Sequence, residues 1–223
     1  RRTREKTAEI SYTPPLLKDK TVVSSYTHAL VIGESPVIVG ERINPTGKPK
    51  LKAALREGDL SYVQNEALRQ VEEGADALDV NFGLPEIDEV AMMRRGIFEI
   101  QSVSDVPLQI DSARPEVLCA AMRIYNGKPL VNSVSGSEES LSSVLPLVKK
   151  YGGVVIALTM DENGIPETVE GRVEIAERIM ARARECGIRE CDVVFDPLCL
   201  TVASGDNNAR VTLDAVRELK SRG

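Results

Sequence analysis

Four short apolar runs in this sequence each end at a side chain that carries a carboxylate or an amide. The runs end at Asp79 with Asn81, at Asp111, at Asn132 and at Asp196. A carboxylate can accept two parallel N–H bonds from an amidine-like edge, and an amide supplies both a donor and an acceptor. This set therefore suits a heterocycle with adjacent N–H donors, of which a pterin is one. Ligation of Mg²⁺ by three carboxylates is the competing chemistry.

Each of these polar side chains also has a purely structural interpretation. Asp111 precedes Ser112 and could cap the next helix, and Asp196 precedes Pro197 and could end a strand, because a residue before proline is held extended. Asn132 could satisfy loop amides. One such residue would be uninformative, but the recurrence at four strand ends favours a functional site.

The spacing of these runs predicts the elements that carry them. Strands begin near residues 37, 76, 106, 129, 153 and 191 with helical segments between them, a mean spacing of about 31 residues that is typical of a (β/α)₈ barrel. We therefore predict an α/β fold, a TIM (β/α)₈-type barrel with about six βα units present in this chain. A doubly wound sheet is the rival fold, but it favours a glycine-rich phosphate loop after the first strand, and residues 40–44 do not form one.

The barrel prediction places the polar strand ends together, because the active site of such a barrel lies at the C-terminal ends of its strands. Glu41 and Asn44, from the first strand and its loop, would face the same mouth. We predict a linker and N-terminal hairpin over residues 1–36, with the hairpin closing the bottom of the barrel. Residues 37–223 would form the barrel domain, which we expect to be truncated at its C-terminus.

Two local signals predict details of the helices. Ser61 and Gln64 have the spacing of a capping box. Pro146 lies inside an apolar helical pattern, where it should kink or shorten the helix, since proline lacks the N–H that the helix needs.

Composition excludes several classes of function. The 223 residues are 42% hydrophobic and 28% charged, with a formal net charge of −6, which argues against disorder and against a nucleic-acid partner. No apolar run reaches the roughly 20 residues of a membrane span. The four cysteines form no Cys-x-x-Cys pair and His28 is the single histidine, so we expect no metal site, no Ser-His-Asp triad, and free thiols in a reducing cytoplasm.

Seven motifs in register resemble the pterin-binding methyltransferase family, from about Val37 to Gly223. That family includes the folate-binding module of cobalamin-dependent methionine synthase and the methyltetrahydrofolate:corrinoid methyltransferases. The lead-in through His28 resembles the linker that follows a homocysteine module in methionine synthases. The motifs are Gly40–Gly47, Leu78–Gly83, Ile110–Ser112, Val131–Ser133, Leu158–Met160, Gly164–Pro166 and Phe195–Leu198.

The resemblance implies a barrel that binds 5-methyltetrahydrofolate and gives its N5 methyl group to a cob(I)alamin carried by another domain or protein. It implies that Asp111, Asn132 and Asp196 hold the pterin, with Asp79 in the surrounding hydrogen-bond network, and that Asp196 and Asn132 are catalytic. Asn81 and Asn44, at the same strand ends, complete the predicted binding set. The implied partners are a cobalamin-binding domain or corrinoid protein, and a zinc-containing homocysteine module upstream. The family also places an asparagine after a seventh strand, a segment that is not among these residues.

Two other functions stay open at this point. Dihydropteroate synthase shares the barrel and the pterin pocket, although its first-strand loop differs from residues 44–48. A folate-binding fragment that does not turn over alone is the non-enzymatic alternative.

Overall fold

A six-stranded parallel sheet dominates the computed structural model, which describes residues 19–201 and 207–222. Within these residues its six strands are hydrogen-bonded in chain order, and helices follow them along the chain. The βα repeat predicted from the spacing of the apolar runs is confirmed. The strands are β1 Thr21–Ser24, β2 Ala29–Ile32, β3 Val39–Ile43, β4 Ala77–Val80, β5 Leu108–Asp111, β6 Leu130–Ser135, β7 Val154–Leu158 and β8 Val193–Asp196. The helices are α1 Pro49–Glu57, α2 Ser61–Glu72, α3 Glu89–Val103, α4 Pro115–Ile124, α5 Glu138–Tyr151, α6 Val169–Glu185 and α7 Asn208–Ser221.

The parallel strands separate apolar from polar side chains by their period of two. On one face, Leu78, Val80 and Ile110 are fully buried in the main core, which they share with residues of the helices. The alternate positions face the opposite side, and in β4 and β5 these include Asp79, Gln109 and Asp111. The strand geometry therefore carries the polar side chains inward and leaves the helix-facing side apolar.

An antiparallel hairpin of β1 and β2 closes the N-terminal end of the sheet, as predicted. Val23 is buried against Leu130 and Val154, the first residues of β6 and β7. The backbones of Ser24 and Lys128 exchange two hydrogen bonds of 2.8 and 2.9 Å, and the Tyr125 hydroxyl donates to the Ser24 carbonyl at 2.9 Å. The hairpin covers the end opposite the polar strand ends, whereas the domain boundary at residues 36 and 37 stays a prediction.

The predicted capping box at the start of α2 is wrong. Leu60 is the N-cap residue and its side chain caps nothing, while the Ser61 hydroxyl donates to Asp59 at 2.5 Å. Gln64 donates to Glu99 at 2.7 Å and so joins α2 to α3. The spacing of Ser61 and Gln64 fits a capping box, but the Gln64 side chain bonds to a neighbouring helix instead of to the N-cap backbone.

The prediction that Pro146 shortens its helix is also wrong. Helix α5 continues through Pro146 from Glu138 to Tyr151. A proline in a helix interior costs about 3 kcal/mol, and four buried side chains on this helix offset that cost through tertiary packing. They are Leu141, Val144, Leu145 and Val148.

Candidate functional site

The C-terminal ends of β4, β5 and β6 bring three of the predicted side chains together. Asp111 and Asn132 are direct partners in the pairing of β5 with β6. The Asn81 amide, from the end of β4, donates to Asp111 Oδ2 at 2.9 Å and accepts the Gly83 N–H at 2.8 Å. A carboxylate and two amides therefore lie side by side at one edge of the sheet.

Asp79 lies one layer deeper on the same inward face. It pairs in register with Gln109, whose amide donates to Asp79 Oδ1 at 2.5 Å. Asp79 is only 1% exposed, and its Oδ2 has no hydrogen-bond partner in the described part of the chain. A buried carboxylate oxygen without a partner is costly as a charge, so Asp79 favours its protonated form.

The pKa of Asp79 is raised from 3.8 to about 7. Burial is the largest cause, and the negative charges of Asp111 and Glu41 add to it, while the amide groups of Gln109 and Asn132 act in the opposite direction. The group can therefore hold or release a proton near neutral pH.

The pKa of Asp111 is also raised, first by burial and then by the charges of Glu41 and Glu89, against the hydrogen bond from Asn81. Glu89 is buried behind it at the start of α3, where it accepts the Ser112 hydroxyl at 2.6 Å. Arg114 lies 3.6 Å from the other oxygen of Glu89. The site is thus a group of acids whose negative charges repel one another, and a ligand with N–H donors would reduce that repulsion.

A cavity of about 420 Å³ adjoins these strand ends, a size within the range of small-molecule sites. Asp111 and Asn132 form one part of its wall, and Ser133, Ser135, Leu158 and Met160 contribute others. The polar pair therefore has room for a flat ligand beside it.

Asp196 and Asn44 are placed differently from the other predicted residues. Asp196 is exposed at the end of β8, where its Oδ1 accepts the Leu198 N–H at 2.8 Å. Asn44 donates to Glu41 at 2.8 Å and accepts the Thr46 N–H at 3.0 Å. Each side chain therefore organises its own loop, and the structure does not join either one to the group on β4 to β6.

Of the purely structural interpretations, the one for Asp111 is wrong and the one for Asp196 is supported. Asp111 does not cap the next helix, because Arg114 is the N-cap of α4 and makes no side-chain cap bond. Asp196 does stabilise the turn that ends its strand. Magnesium ligation gains no support, since residues 19–201 and 207–222 contain no group of three His, Cys, Asp or Glu arranged to hold a metal ion.

Two contributors were missed in the sequence. Gln109 alternates with Asp111 on β5, so strand parity alone could have indicated it. Glu89 left no such signal, because it acts from a helix through a contact that depends on the tertiary fold.

A family model described as "Pterin binding enzyme" matches residues 40–223. The chain belongs to the pterin-binding enzyme family. This confirms the resemblance carried by the seven motifs, and the chemistry of the strand ends agrees with it. No helix of the described residues is long and apolar enough to cross a membrane.

Two curated relatives are both methionine synthases. The protein of Mycobacterium tuberculosis is 30% identical over 224 residues, covering 96% of this chain and 18% of the relative. The protein of Mycobacterium leprae is 32% identical over 212 residues, covering 90% of this chain and 18% of the relative. The chain thus spans under a fifth of the length of the relatives that it matches.

Similar solved structures include dihydropteroate synthases. The enzyme of Yersinia pestis with a pterine-sulfa conjugate has a TM-score of 0.66 at 18% identity, over 89% of this chain and 72% of that one. The enzyme of Xanthomonas albilineans with 4-aminobenzoic acid has a TM-score of 0.63 at 23% identity, over 85% of this chain and 70% of that one. These similarities support the barrel fold.

Proposed function

We propose that this chain is a folate-binding methyltransferase module of the methionine synthase type. It binds 5-methyltetrahydrofolate and gives the N5 methyl group to a cob(I)alamin carried by another domain or protein. The observation that carries the proposal is the pairing of Asp111 with Asn132, with Asn81 donating to Asp111 beside a cavity. The names and coverage of the two mycobacterial relatives support methyl transfer over other pterin chemistry.

Recognition of the pterin follows from the donor and acceptor types at the strand ends. The amidine-like edge of the ring has adjacent N–H donors, which the Asp111 carboxylate can accept in parallel. Asn132 can serve a ring position that needs a donor next to an acceptor. Asp196, from the other side of the mouth, supplies a second carboxylate to the same ring.

Methyl transfer requires help at N5 of the folate. N5 is a poor leaving group unless it gains a proton or a hydrogen bond in the transition state. Asn132 and Asp196 are the residues that we assign to this role. Asp79, with a pKa of about 7, can hold or release a proton beside these groups near neutral pH. The nucleophile comes from the cobalamin, so the chain needs none of its own.

The test is methyl transfer from 5-methyltetrahydrofolate to cob(I)alamin, followed by absorbance in the full protein that contains this chain. We expect turnover in the wild type and at least a 100-fold loss of kcat/KM in Asn132→Ala. Asn126→Ala is the matched control, since Asn126 is exposed beyond the C-terminus of α4 at the opposite end of the sheet. Binding of 5-methyltetrahydrofolate without turnover would favour the non-enzymatic alternative, a module that binds folate but does not transfer its methyl group. Pyrophosphate release with p-aminobenzoate and a pterin pyrophosphate would identify a dihydropteroate synthase.

A further inference from the structure

A single buried arginine joins the two loops and the helix that surround Asp196. Arg172 is the fourth residue of α6 and is only 1% exposed. Its Nε donates to the Pro166 carbonyl at 2.9 Å, in the loop after β7. Its Nη1 lies 2.8 Å from the Pro197 carbonyl and 2.7 Å from the Leu198 carbonyl, in the loop after β8. One guanidinium therefore holds both loops at once.

Helix α7 takes part in the same arrangement through Thr212. The Thr212 hydroxyl lies 3.0 Å from Arg172 Nη1 and donates to the Leu198 carbonyl at 2.9 Å. The Leu198 carbonyl thus accepts from a guanidinium and from a hydroxyl. A planar guanidinium suits this task, because its several donors have a fixed geometry.

The backbone that these groups hold is unusual. Leu198 has φ of +58°, a left-handed conformation that is unfavourable for a residue with a Cβ and persists only where the surroundings hold it. The contacts from Arg172 and Thr212 fall on the carbonyls on both sides of the Leu198 α-carbon. In this conformation the Leu198 N–H points back to Asp196 Oδ1, at 2.8 Å.

We infer that Arg172 is the positioning residue for Asp196, holding the Asp196–Leu198 turn so that the carboxylate faces the mouth of the barrel. The inference rests on the proposed function for the ligand that Asp196 meets. It does not make Arg172 a ligand-binding group, because its guanidinium contacts protein carbonyls and a hydroxyl. Its effect on the pterin is transmitted through Asp196.

The first experiment needs no ligand. Hydrogen–deuterium exchange of residues 195–201, which include the Leu198 amide, is measured in the wild type and in Arg172→Met. We expect exchange at least 10-fold faster in the variant, with β4 unchanged. Arg182→Met is the matched control on the same helix, since Arg182 pairs with Glu138 at 2.8 Å instead of with the turn, and it should leave the exchange unchanged.

The second experiment is a double-mutant cycle on the Kd for 5-methyltetrahydrofolate. We expect about 10-fold weaker binding in Asp196→Ala and up to 10-fold weaker binding in Arg172→Met. The double variant should bind no more than twofold more weakly than Asp196→Ala alone, because Arg172 acts through Asp196. Multiplied effects would overturn the inference, since a general loss of structure would add to the loss of Asp196.

A milder variant covers the case in which Arg172→Met does not fold. Thr212→Val removes only the hydroxyl from the arrangement, and we expect about threefold faster exchange at residues 195–201. Unchanged exchange in Thr212→Val and in any folded Arg172 variant would overturn the inference. A wild-type protein that does not bind 5-methyltetrahydrofolate would contradict the proposed function instead, and the exchange data would still decide what Arg172 holds.

Discussion

The two sides of the barrel mouth position their polar groups by different means. On the side of β4 to β6, adjacent parallel strands place Asp111 beside Asn132, and direct side-chain hydrogen bonds join Asn81 to Asp111 and Gln109 to Asp79. On the side of β8, the exposed Asp196 side chain accepts the Leu198 N–H in its own turn, which Arg172 holds from a helix. The first side is fixed by the sheet, and the second depends on loops. We therefore expect the first side to provide most of the binding energy, and the second to be the more easily displaced.

The largest expected effect is the loss of pterin binding in Asp111→Ala. Removing the carboxylate takes away the charged acceptor for the ring and leaves the N–H donors of the ligand unpaired in the complex, which costs about 2.7 kcal/mol, or about 100-fold in Kd. Isothermal titration with 5-methyltetrahydrofolate measures it. Asp105→Ala, an exposed aspartate in the loop before β5, is the control and should bind like the wild type.

The second effect concerns stability and pH. Asp79 has a folded-state pKa of about 7 against an ordinary value of 3.8, so its favourable contribution is complete below about pH 4 and is lost as the pH rises through 7. Asp79→Asn resembles the protonated acid and should raise the free energy of unfolding by about 2 to 3 kcal/mol at pH 8, with little change at pH 4. Urea denaturation at both pH values measures it. The argument from burial would be contradicted if the gain in free energy of unfolding of Asp79→Asn over the wild type were no larger at pH 8 than at pH 4.

The third effect acts on the side of β4 to β6 through helix α3, which packs against it. A Cβ at Gly96 in α3 would lie 2.2 Å from the ring of Phe82, which is fully buried and follows Asn81 in the sequence. Gly96→Ala should lower the free energy of unfolding by about 2 kcal/mol, since overpacking forces the ring to move. Thermal denaturation measures it. Arg94→Ala, at an exposed position of the same helix, should change stability by less than about 0.5 kcal/mol.

The smallest effect is expected on the side of β8, where loops position Asp196. Asp196→Ala should weaken 5-methyltetrahydrofolate binding by about 10-fold, or about 1.4 kcal/mol, because the side chain is exposed and keeps part of its solvation. Its free energy of unfolding should fall by no more than about 1 kcal/mol, because the Leu198 N–H loses one exposed acceptor. If Asp196→Ala weakens binding more than Asp111→Ala does, the contrast between the two sides of the mouth is reversed.

The two sides also differed in how far the sequence could predict them. The adjacency of Asp111 and Asn132 follows from the fact that parallel strands end at one edge, and the inward direction of Asp79 and Asn81 follows from strand parity. Both depend on regular geometry with a short period. Arg172 could not be predicted, because most of its partners are backbone carbonyls of two loops, and backbone carbonyls are present at every residue.

The errors have the same origin. The capping box at Ser61 and Gln64 and the shortening of the helix at Pro146 were predicted from local rules, and tertiary packing overrode both of them. Gln109 could be predicted only in part. Its parity was visible in the sequence, but only the contact with Asp79 distinguishes it from an ordinary polar residue on a strand.

The central claim is that Asp111 accepts N–H donors from the amidine-like edge of a pterin. The most direct measurement is the calorimetric titration of the wild type and of Asp111→Ala with 5-methyltetrahydrofolate and with its 2-desamino-2-methyl analogue, which lacks the exocyclic N–H donors. The account predicts that the wild type prefers the natural ligand by at least 10-fold and that Asp111→Ala loses this preference. An equal preference in both proteins would show that another group recognises that edge, and it would contradict the account.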